Sequence, residues 1–227
     1  MNKIEFKEKL HSNNIEITDD MLDKFDRYFE LLVEYNKVMD LTAVKDDEIY
    51  ERHFYNSLTI AFDNDFNNIS LCDVGAGAGF PSIPLKIVFP NMKLTIIDPL
   101  SKRMDFLKIV IDKLNLHDVT LVYARAEDVS IKYKETFNVV TARAVARLNI
   151  LVELVSQMIT INGLLIAMKG EHALEEVNEA QNALKECKLT LIQETYLNPS
   201  INLIFRKNGS ISNKYPRNYG QIKKKPL

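Results

Sequence analysis

Several features are scarce or missing in this chain of 227 residues, and each absence narrows what the protein can be. No stretch approaches 18 uninterrupted apolar residues, so we expect no membrane-spanning helix. The opening residues alternate charged and apolar side chains, which predicts no secretory signal. Cys72 and Cys187 are the only cysteines, too few for a disulfide framework and not spaced as metal ligands. The sequence therefore predicts a cytoplasmic protein without a metal site.

Glycine is absent before Gly75, so the first part of the chain has few places to turn sharply. Apolar residues there recur at three- and four-residue spacing from Met21 to Val33, which predicts one helix with an apolar face. Thr18, followed by two aspartates, is suited to cap that helix at its N-terminus. A second helix is predicted over about Asp46 to Ala61.

Beyond residue 65 the pattern changes to short apolar or β-branched runs separated by stretches with helical spacing. Such alternation predicts an α/β fold whose sheet is mostly parallel. The predicted strands are Ile69–Val74, Leu94–Asp98, Val119–Ala124, Phe137–Thr141, Leu164–Met168, Thr190–Leu197 and Ile201–Lys207. The last two are separated only by Asn198-Pro199-Ser200, which indicates an antiparallel terminal hairpin, after a charged helix predicted over Glu171 to Cys187. We divide the chain into a helical extension (1–65), an α/β domain (66–210) and a basic tail (211–227).

The C-terminal part of the sequence lacks acidic residues. Residues 195–227 carry 7 basic and no acidic residues, whereas residues 1–50 carry 13 acidic and 7 basic ones. A local positive field can attract a polyanion even though the net charge is −2. The tail is therefore either a contact for such a partner or a solvated basic segment.

The stretch LCDVGAGAGFPSIPL, residues 71–85, joins the first predicted strand to a helix predicted to begin at Pro81. Its glycines lie at the carboxyl end of the strand, where open α/β sheets bind ligands. The spacing G-x-G-x-G differs from the dinucleotide fingerprint G-x-G-x-x-G, and Phe80 follows the early third glycine. No Gly-Lys-Ser/Thr follows, which excludes a P-loop. The stretch resembles the S-adenosylmethionine (SAM) loop of methyltransferases, with Gly75 and Gly77 beside the cofactor; a purely structural turn is the alternative.

The ends of the next two predicted strands carry chemistry that fits the same ligand. Asp98 ends the second strand about 20 residues after the glycines, where a carboxylate can accept hydrogen bonds from ribose hydroxyls. Asp98 before Pro99 is also suited to a turn that caps the following helix, and this alternative stays open. Ala126 and Glu127, after the third strand, offer a backbone N–H and a carboxylate to an adenine.

Six ordered segments extend the resemblance over essentially the whole chain. They are LTAVKDDEIYERHFYNSL (41–58), DVGAGAGFPSIPL (73–85), ARAE (124–127), TARAVARL (141–148), MKG (168–170) and KYPR (214–217). The chain resembles the bacterial small-subunit ribosomal RNA methyltransferase G family, RsmG or GidB. This resemblance implies a Rossmann-like fold with a seven-stranded sheet and an N-terminal helical extension. It also implies methyl transfer from SAM to N7 of guanine 527, in the 530 loop of 16S rRNA, with S-adenosylhomocysteine as product.

The resemblance also assigns site residues. It implies that Gly75, Phe80, Ala126, Glu127 and Arg143 contact SAM. Arg125, Arg143 and Lys169 match a basic cluster beside the cofactor in the family, and we consider Arg143 and Lys169 as positioning candidates. The predicted RNA contacts are Arg125 and Lys169 of this cluster, Lys214 and Arg217 in the basic tail, and Arg147, which we add from the sequence alone. Surface charge is the alternative for Arg147. The expected partner is 16S rRNA in the 30S subunit or an assembly intermediate, with neither DNA nor a membrane involved.

The sequence lacks the motifs that methyl acceptors other than guanine N7 would require. Guanine N7 has a lone pair and no proton to lose, so no general base is required. The place where amine-methylating enzymes carry an Asn-Pro-Pro-Tyr turn holds Thr141-Ala142-Arg143-Ala144 instead. Cys72 and Cys187 are interpreted as ordinary apolar residues rather than nucleophiles. A small-molecule SAM methyltransferase and a non-catalytic RNA-binding assembly protein remain as alternatives.

Overall fold

The N-terminal helices agree with the predicted apolar spacing. In this computed structural model, which describes residues 1–197 and 200–227, α1 spans Lys3–His11 and α2 spans Asp19–Met39. The Thr18 hydroxyl accepts a hydrogen bond from the Met21 backbone N–H at 3.2 Å. The predicted N-cap of α2 is therefore confirmed, and α2 buries its apolar face.

The segment predicted as one helix from Asp46 to Ala61 is helical but not one regular α-helix. It comprises 3₁₀ turns at Asp46–Glu48 and Thr59–Ala61, a π-helical stretch at Tyr50–Tyr55 and one α-turn, α3, at Asn56–Leu58. The apolar spacing could not distinguish these forms. Buried residues of the stretch stand at positions 50, 53 and 54, a spacing that an α-helix shares.

The remaining helices lie between the strands, except for the last one, which follows the final strand. They are α4 (Ser82–Val88), α5 (Ser101–Lys113), α6 (Ala126–Val129), α7 (Leu148–Val155), α8 (Ala173–Glu179), α9 (Gln181–Glu186) and α10 (Tyr219–Lys224), with a 3₁₀ turn at Ser156–Met158. The single charged helix predicted over 171–187 is wrong, because the chain breaks at Ala180 into α8 and α9. Neither glycine nor proline marks this break, so the sequence carried no signal for it.

The sheet has seven strands, as predicted. They are β1 (Ser70–Val74), β2 (Lys93–Asp98), β3 (Val119–Tyr123), β4 (Phe137–Arg143), β5 (Ile159–Lys169), β6 (Leu189–Tyr196) and β7 (Ile201–Lys207). Strand β5 begins earlier than predicted because Asn162-Gly163, which reads as a turn, lies inside it. Asn162 has a positive φ of 67° there.

The chain forms two units by its contacts. The N-terminal unit comprises residues 1–68 and 76–123, and the C-terminal unit comprises residues 69–75 and 124–227. In the N-terminal unit, β2 and β3 are parallel, and Asp98 stands opposite Tyr123. In the C-terminal unit the strand order is β1-β4-β5-β7-β6, where β1, β4 and β5 are parallel. The predicted boundaries at residues 65 and 210 stay a prediction.

The antiparallel terminal hairpin is confirmed. Strand β7 pairs antiparallel with both β5 and β6. The Leu197 N–H donates to the Ser200 carbonyl at 2.8 Å where the two strands meet. Of the predicted turn, Asn198 and Pro199 lie outside the described residues. In the part of the chain that the structure describes, no helix is long and apolar enough to cross a membrane.

Candidate active site

Asp98, at the end of β2, is bonded to the glycine loop. The Gly77 N–H donates to Asp98 Oδ2 at 3.4 Å, and the Leu100 N–H donates to Asp98 Oδ1 at 2.9 Å. Arg103 Nη1 lies 3.6 Å from Oδ2, and the Asp98 side chain is buried. Asp98 therefore forms the turn before α5, as one of the two alternatives predicted, and it also reaches the glycine loop. Its contact with a ribose stays a prediction.

Gly77 leaves open space beside the loop. Its φ is +61°, and a Cβ built on it would meet no atom within 4 Å. A left-handed backbone of this kind favours glycine. The loop thus presents a bare, accessible backbone at the position where the sequence predicts a cofactor.

At Gly79, in contrast to Gly77, surrounding side chains leave no room for a Cβ. Its φ is +103°, and a Cβ on it would lie 2.6 Å from Ile83, 2.8 Å from the Tyr28 hydroxyl and 2.9 Å from Leu107. The third glycine therefore serves the packing of helices against the loop rather than space for a ligand. The next residue, Phe80, is buried.

In the C-terminal unit, Gly75 ends the β1 side of the loop. Its φ is +69°, and a Cβ on it would lie 2.8 Å from Cγ2 of Val145. Val145 belongs to the turn after β4, where Ala144 has a positive φ of 56°. A non-glycine residue in that region stores strain, a feature that concentrates at functional sites. The sequence contained no signal that Val145 packs on Gly75.

Ala126 and Glu127 open helix α6 and are both largely buried. Arg125 Nη1 lies 3.6 Å from Glu127 Oε1, and the Arg125 guanidinium lies 5.5 Å from the ring centroid of Tyr219. The predicted adenine end therefore lies beside helix α10 of the basic tail, a proximity that sequence reasoning missed.

Arg143 and Lys169 end the neighbouring parallel strands β4 and β5, as predicted, with Arg143 opposite Met168. Lys169 Nζ lies 2.7 Å from Glu176 Oε2 and donates to the Ala146 carbonyl at 2.5 Å. The same Glu176 oxygen accepts from the Leu148 N–H at 2.7 Å. Lys169 and Glu176 together thus fix the turn between β4 and α7. Sequence reasoning missed Glu176, which lies in a charged helix without a distinguishing motif.

The other predicted RNA contacts differ in their surroundings. Arg147 pairs with Glu179 at 2.6 Å, and both side chains are about half exposed. Lys214 Nζ lies 4.8 Å from the ring centroid of Tyr215. Arg217 donates to both oxygens of Glu153, through Nε at 2.7 Å and Nη2 at 2.6 Å. Because the Glu153 side chain is fully buried, Arg217 anchors the tail to α7.

The two cysteines are not activated. Burial, followed by the charge of Asp73, raises the pKa of the Cys72 thiol, and burial raises the pKa of Cys187 to about 12. Nucleophilic cysteines have a lowered pKa instead. The interpretation of both as apolar residues is consistent with these environments. Among the described residues, no group of three or more His, Cys, Asp or Glu side chains could hold a metal ion.

A thiol-labelling experiment checks this assignment. At pH 8 the folded protein should react with an aromatic disulfide reagent at least about 100-fold more slowly than the protein in denaturant, because both thiols are buried and protonated. The absorbance of the released thiolate measures both rates. Rapid labelling of either cysteine in the folded protein would contradict the assignment.

Solved structures similar to this chain show its fold. A SAM-dependent methyltransferase from Aquifex aeolicus matches with a TM-score of 0.59 and 14% identity, covering 77% of this chain and 97% of that one. Precorrin-6y C5,15-methyltransferase from Geobacter metallireducens matches with a TM-score of 0.52 and 14% identity, covering 68% and 88%. The fold is therefore that of the Rossmann-like SAM-dependent methyltransferases.

Sequence comparison then gives the family. The family model GidB, rRNA small subunit methyltransferase G, matches residues 21–200. The ribosomal RNA small subunit methyltransferase G of Lysinibacillus sphaericus is 43% identical over 237 aligned residues, covering 100% of each chain. The protein of the same name from Staphylococcus epidermidis is 43% identical over 229 residues, covering 97% of this chain and 96% of its own. This chain belongs to the small-subunit rRNA methyltransferase G family, which confirms the resemblance.

Proposed function

We propose that this protein transfers a methyl group from SAM to N7 of guanine 527 in the 530 loop of 16S rRNA. The observation that carries the proposal is the 43% identity over the whole chain to a ribosomal RNA small subunit methyltransferase G. The arrangement at the strand ends supports it, because a bare glycine loop is bonded to an acidic residue at the end of β2.

The residues present fit SAM as the cofactor. Gly75 and Gly77 have left-handed backbones at the carboxyl end of β1, and the space beside Gly77 is open. Carboxylates of Asp98 and Glu127 suit the ribose and adenine amine of such a ligand. Together with Phe80, Ala126 and Arg143, these are the residues that we propose contact the cofactor. Bound SAM supplies an activated methyl group on a sulfonium.

The protein's own contribution is positioning. N7 of guanine needs no proton removed, so no side chain has to act as a base. Ordering the two reactants and excluding water can supply a large share of the rate. The turn after β4 is suited to this task, because Lys169 and Glu176 fix it through Ala146 and Leu148. A cleft of about 440 Å³ lies beside it, lined in part by Gly170 and Glu176.

Basic side chains provide the contacts to RNA in this proposal. Arg125 and Arg147 have more than half of their side chains exposed and can reach phosphates. Lys214 lies in the tail that lacks acidic residues. Lys169 and Arg217 are less exposed and bound to carboxylates, so they contact RNA only by exchanging those partners. Affinity that falls steeply with salt is the expected signature of such phosphate contacts.

Mapping 7-methylguanosine in 16S rRNA tests the proposal. A strain of the source organism that lacks the gene should lose the modification at guanine 527 alone, and a plasmid copy should restore it. Primer extension after cleavage at 7-methylguanosine measures the modified fraction. An unchanged map would refute the rRNA activity, as expected for a small-molecule methyltransferase or a non-catalytic assembly protein.

The state of the RNA substrate needs a separate measurement. We propose that the substrate is 16S rRNA within the 30S subunit or an assembly intermediate, because no described segment forms an additional RNA-binding module beside the two units. Purified protein, radiolabelled SAM and either 30S particles or protein-free 16S rRNA from the deletion strain provide the comparison. Equal methylation rates for the two substrates would contradict this part.

A further inference from the structure

Tyr28, on helix α2, is bonded to the glycine loop. Its hydroxyl donates to the Ala78 carbonyl at 2.5 Å, and the side chain is fully buried. The absence of a Cβ at Gly79 permits this approach, because a Cβ there would come within 2.8 Å of the hydroxyl. A phenol that only filled the core would not need a glycine beside its hydroxyl. The contact therefore joins the N-terminal helices to the loop at a defined atom.

His53 holds the residue at the end of the same loop. Its imidazole stacks on the Phe80 ring with centroids 4.2 Å apart and planes 12° apart. The imidazole Nε2 lies 2.6 Å from the Thr42 hydroxyl, which also accepts from the Val44 N–H. The ring of Tyr28 stacks on Phe80 as well, at 5.5 Å. Phe54 is a third aromatic neighbour from the helical segments, with its ring centroid 6.2 Å from that of Phe80.

The π-helical stretch supplies His53. Tyr50–Tyr55 contains His53 and Phe54, and Phe54 stacks on Tyr28 at 5.3 Å. π-Helical turns occur frequently at functional sites. Here the stretch places the His53 ring against Phe80 at the end of the loop.

We propose that Tyr28 and His53 are positioning residues for the glycine loop: Tyr28 fixes the Ala78 carbonyl and His53 fixes the Phe80 ring. This inference rests on the proposed function, in which the loop binds SAM. A loop that is already ordered in its binding form binds more tightly than one that adopts this form only part of the time. Neither residue needs to touch the cofactor.

The test compares two tyrosines that each lose one hydroxyl hydrogen bond, buried for Tyr28 and partly buried for Tyr50. Tyr28→Phe removes the bond to Ala78, and Tyr50→Phe removes a 2.5 Å bond to Asp26 in the same group of helices but away from the loop. We expect Tyr28→Phe to weaken SAM binding about tenfold by calorimetry and Tyr50→Phe to change it less than about twofold. Equal loss in both variants, or none in Tyr28→Phe, would overturn the role of Tyr28.

A second pair tests the ring on Phe80. His53→Leu removes both the stacking and the bond to Thr42, whereas His53→Phe retains an aromatic ring. We expect His53→Leu to weaken SAM binding about fivefold and His53→Phe to restore most of the affinity. If the two variants bind SAM equally weakly, the stacking role is wrong. In steady-state assays the KM for SAM should rise while the KM for the RNA substrate stays constant.

Hydrogen exchange without ligand separates this inference from the proposed function. The N–H groups of Gly79 and Phe80 both donate to the Ala76 carbonyl, so their exchange reports on the order of the loop. Tyr28→Phe should accelerate their exchange relative to strand β7, and Tyr50→Phe should not. Unchanged exchange in Tyr28→Phe would refute the positioning role. Failure of the wild-type protein to bind SAM would instead refute the cofactor assignment.

Discussion

Gly75→Asp is expected to weaken SAM binding by at least about 100-fold. Gly75 has a φ of +69°, which disfavours any residue with a Cβ, and a Cβ there lies 2.8 Å from Cγ2 of Val145, so the Val145 side chain must shift. The new carboxylate also adds negative charge beside the proposed site of a ligand that carries its own carboxylate. Isothermal titration calorimetry of the purified variant measures the loss, and thermal unfolding shows whether the variant is folded.

Two further variants make the result interpretable. Gly209→Asp introduces the same side chain where a Cβ meets nothing within 4 Å and no left-handed backbone is needed, so it should bind SAM like the wild-type protein. Gly77→Asp adds the charge without a clash, because aspartate tolerates a left-handed backbone. It should also weaken binding strongly. Wild-type affinity in Gly75→Asp or Gly77→Asp would contradict the placement of the cofactor.

Arg217→Met is expected to lower the free energy of unfolding by about 3–5 kcal/mol, the usual effect of leaving a buried charge unpaired. Arg217 is the guanidinium partner of Glu153, whose side chain is fully buried. Urea unfolding followed by circular dichroism measures the change. An effect below about 1 kcal/mol would show that the tail is not anchored in this way.

Two control variants test whether the loss of stability in Arg217→Met comes from leaving the buried Glu153 carboxylate unpaired. Arg147→Met removes the exposed pair with Glu179 and should lower the free energy of unfolding far less than Arg217→Met does. Combining Arg217→Met with Glu153→Leu removes both partners of the buried pair and should recover much of the lost stability. A double variant as unstable as Arg217→Met alone would point to lost packing rather than to an unpaired carboxylate.

Features set by local pattern could be predicted from the sequence. The N-cap at Thr18, all seven strands and the terminal hairpin follow from spacing and turn residues, and the structure confirms them. The ends of β4 and β5 likewise place Arg143 and Lys169 on neighbouring strands, as expected. Each of these depends on residues close together in the chain or on the simple rule that parallel strands end at one edge.

Features that depend on distant residues could not be predicted. The Tyr28 hydroxyl meets Ala78 across fifty residues of chain, and a tyrosine on an apolar helix face predicts only burial. Glu176 and Glu153 stand in ordinary helical positions, so nothing distinguishes them from solvated or packed carboxylates before the fold is known. The division of α8 from α9 at Ala180 has no local signal either.

The ion pair between Glu153 and Arg217 also affects when the chain can complete its folding during translation. Translation adds Glu153 long before Arg217, so a nascent chain that collapses early confines a carboxylate whose guanidinium has not yet left the ribosome. The C-terminal unit therefore reaches its final stability only after Arg217 has been synthesised. A chain that stops before Arg217 leaves the buried Glu153 without its guanidinium partner, and the larger unfolded fraction of such a product is open to proteolysis.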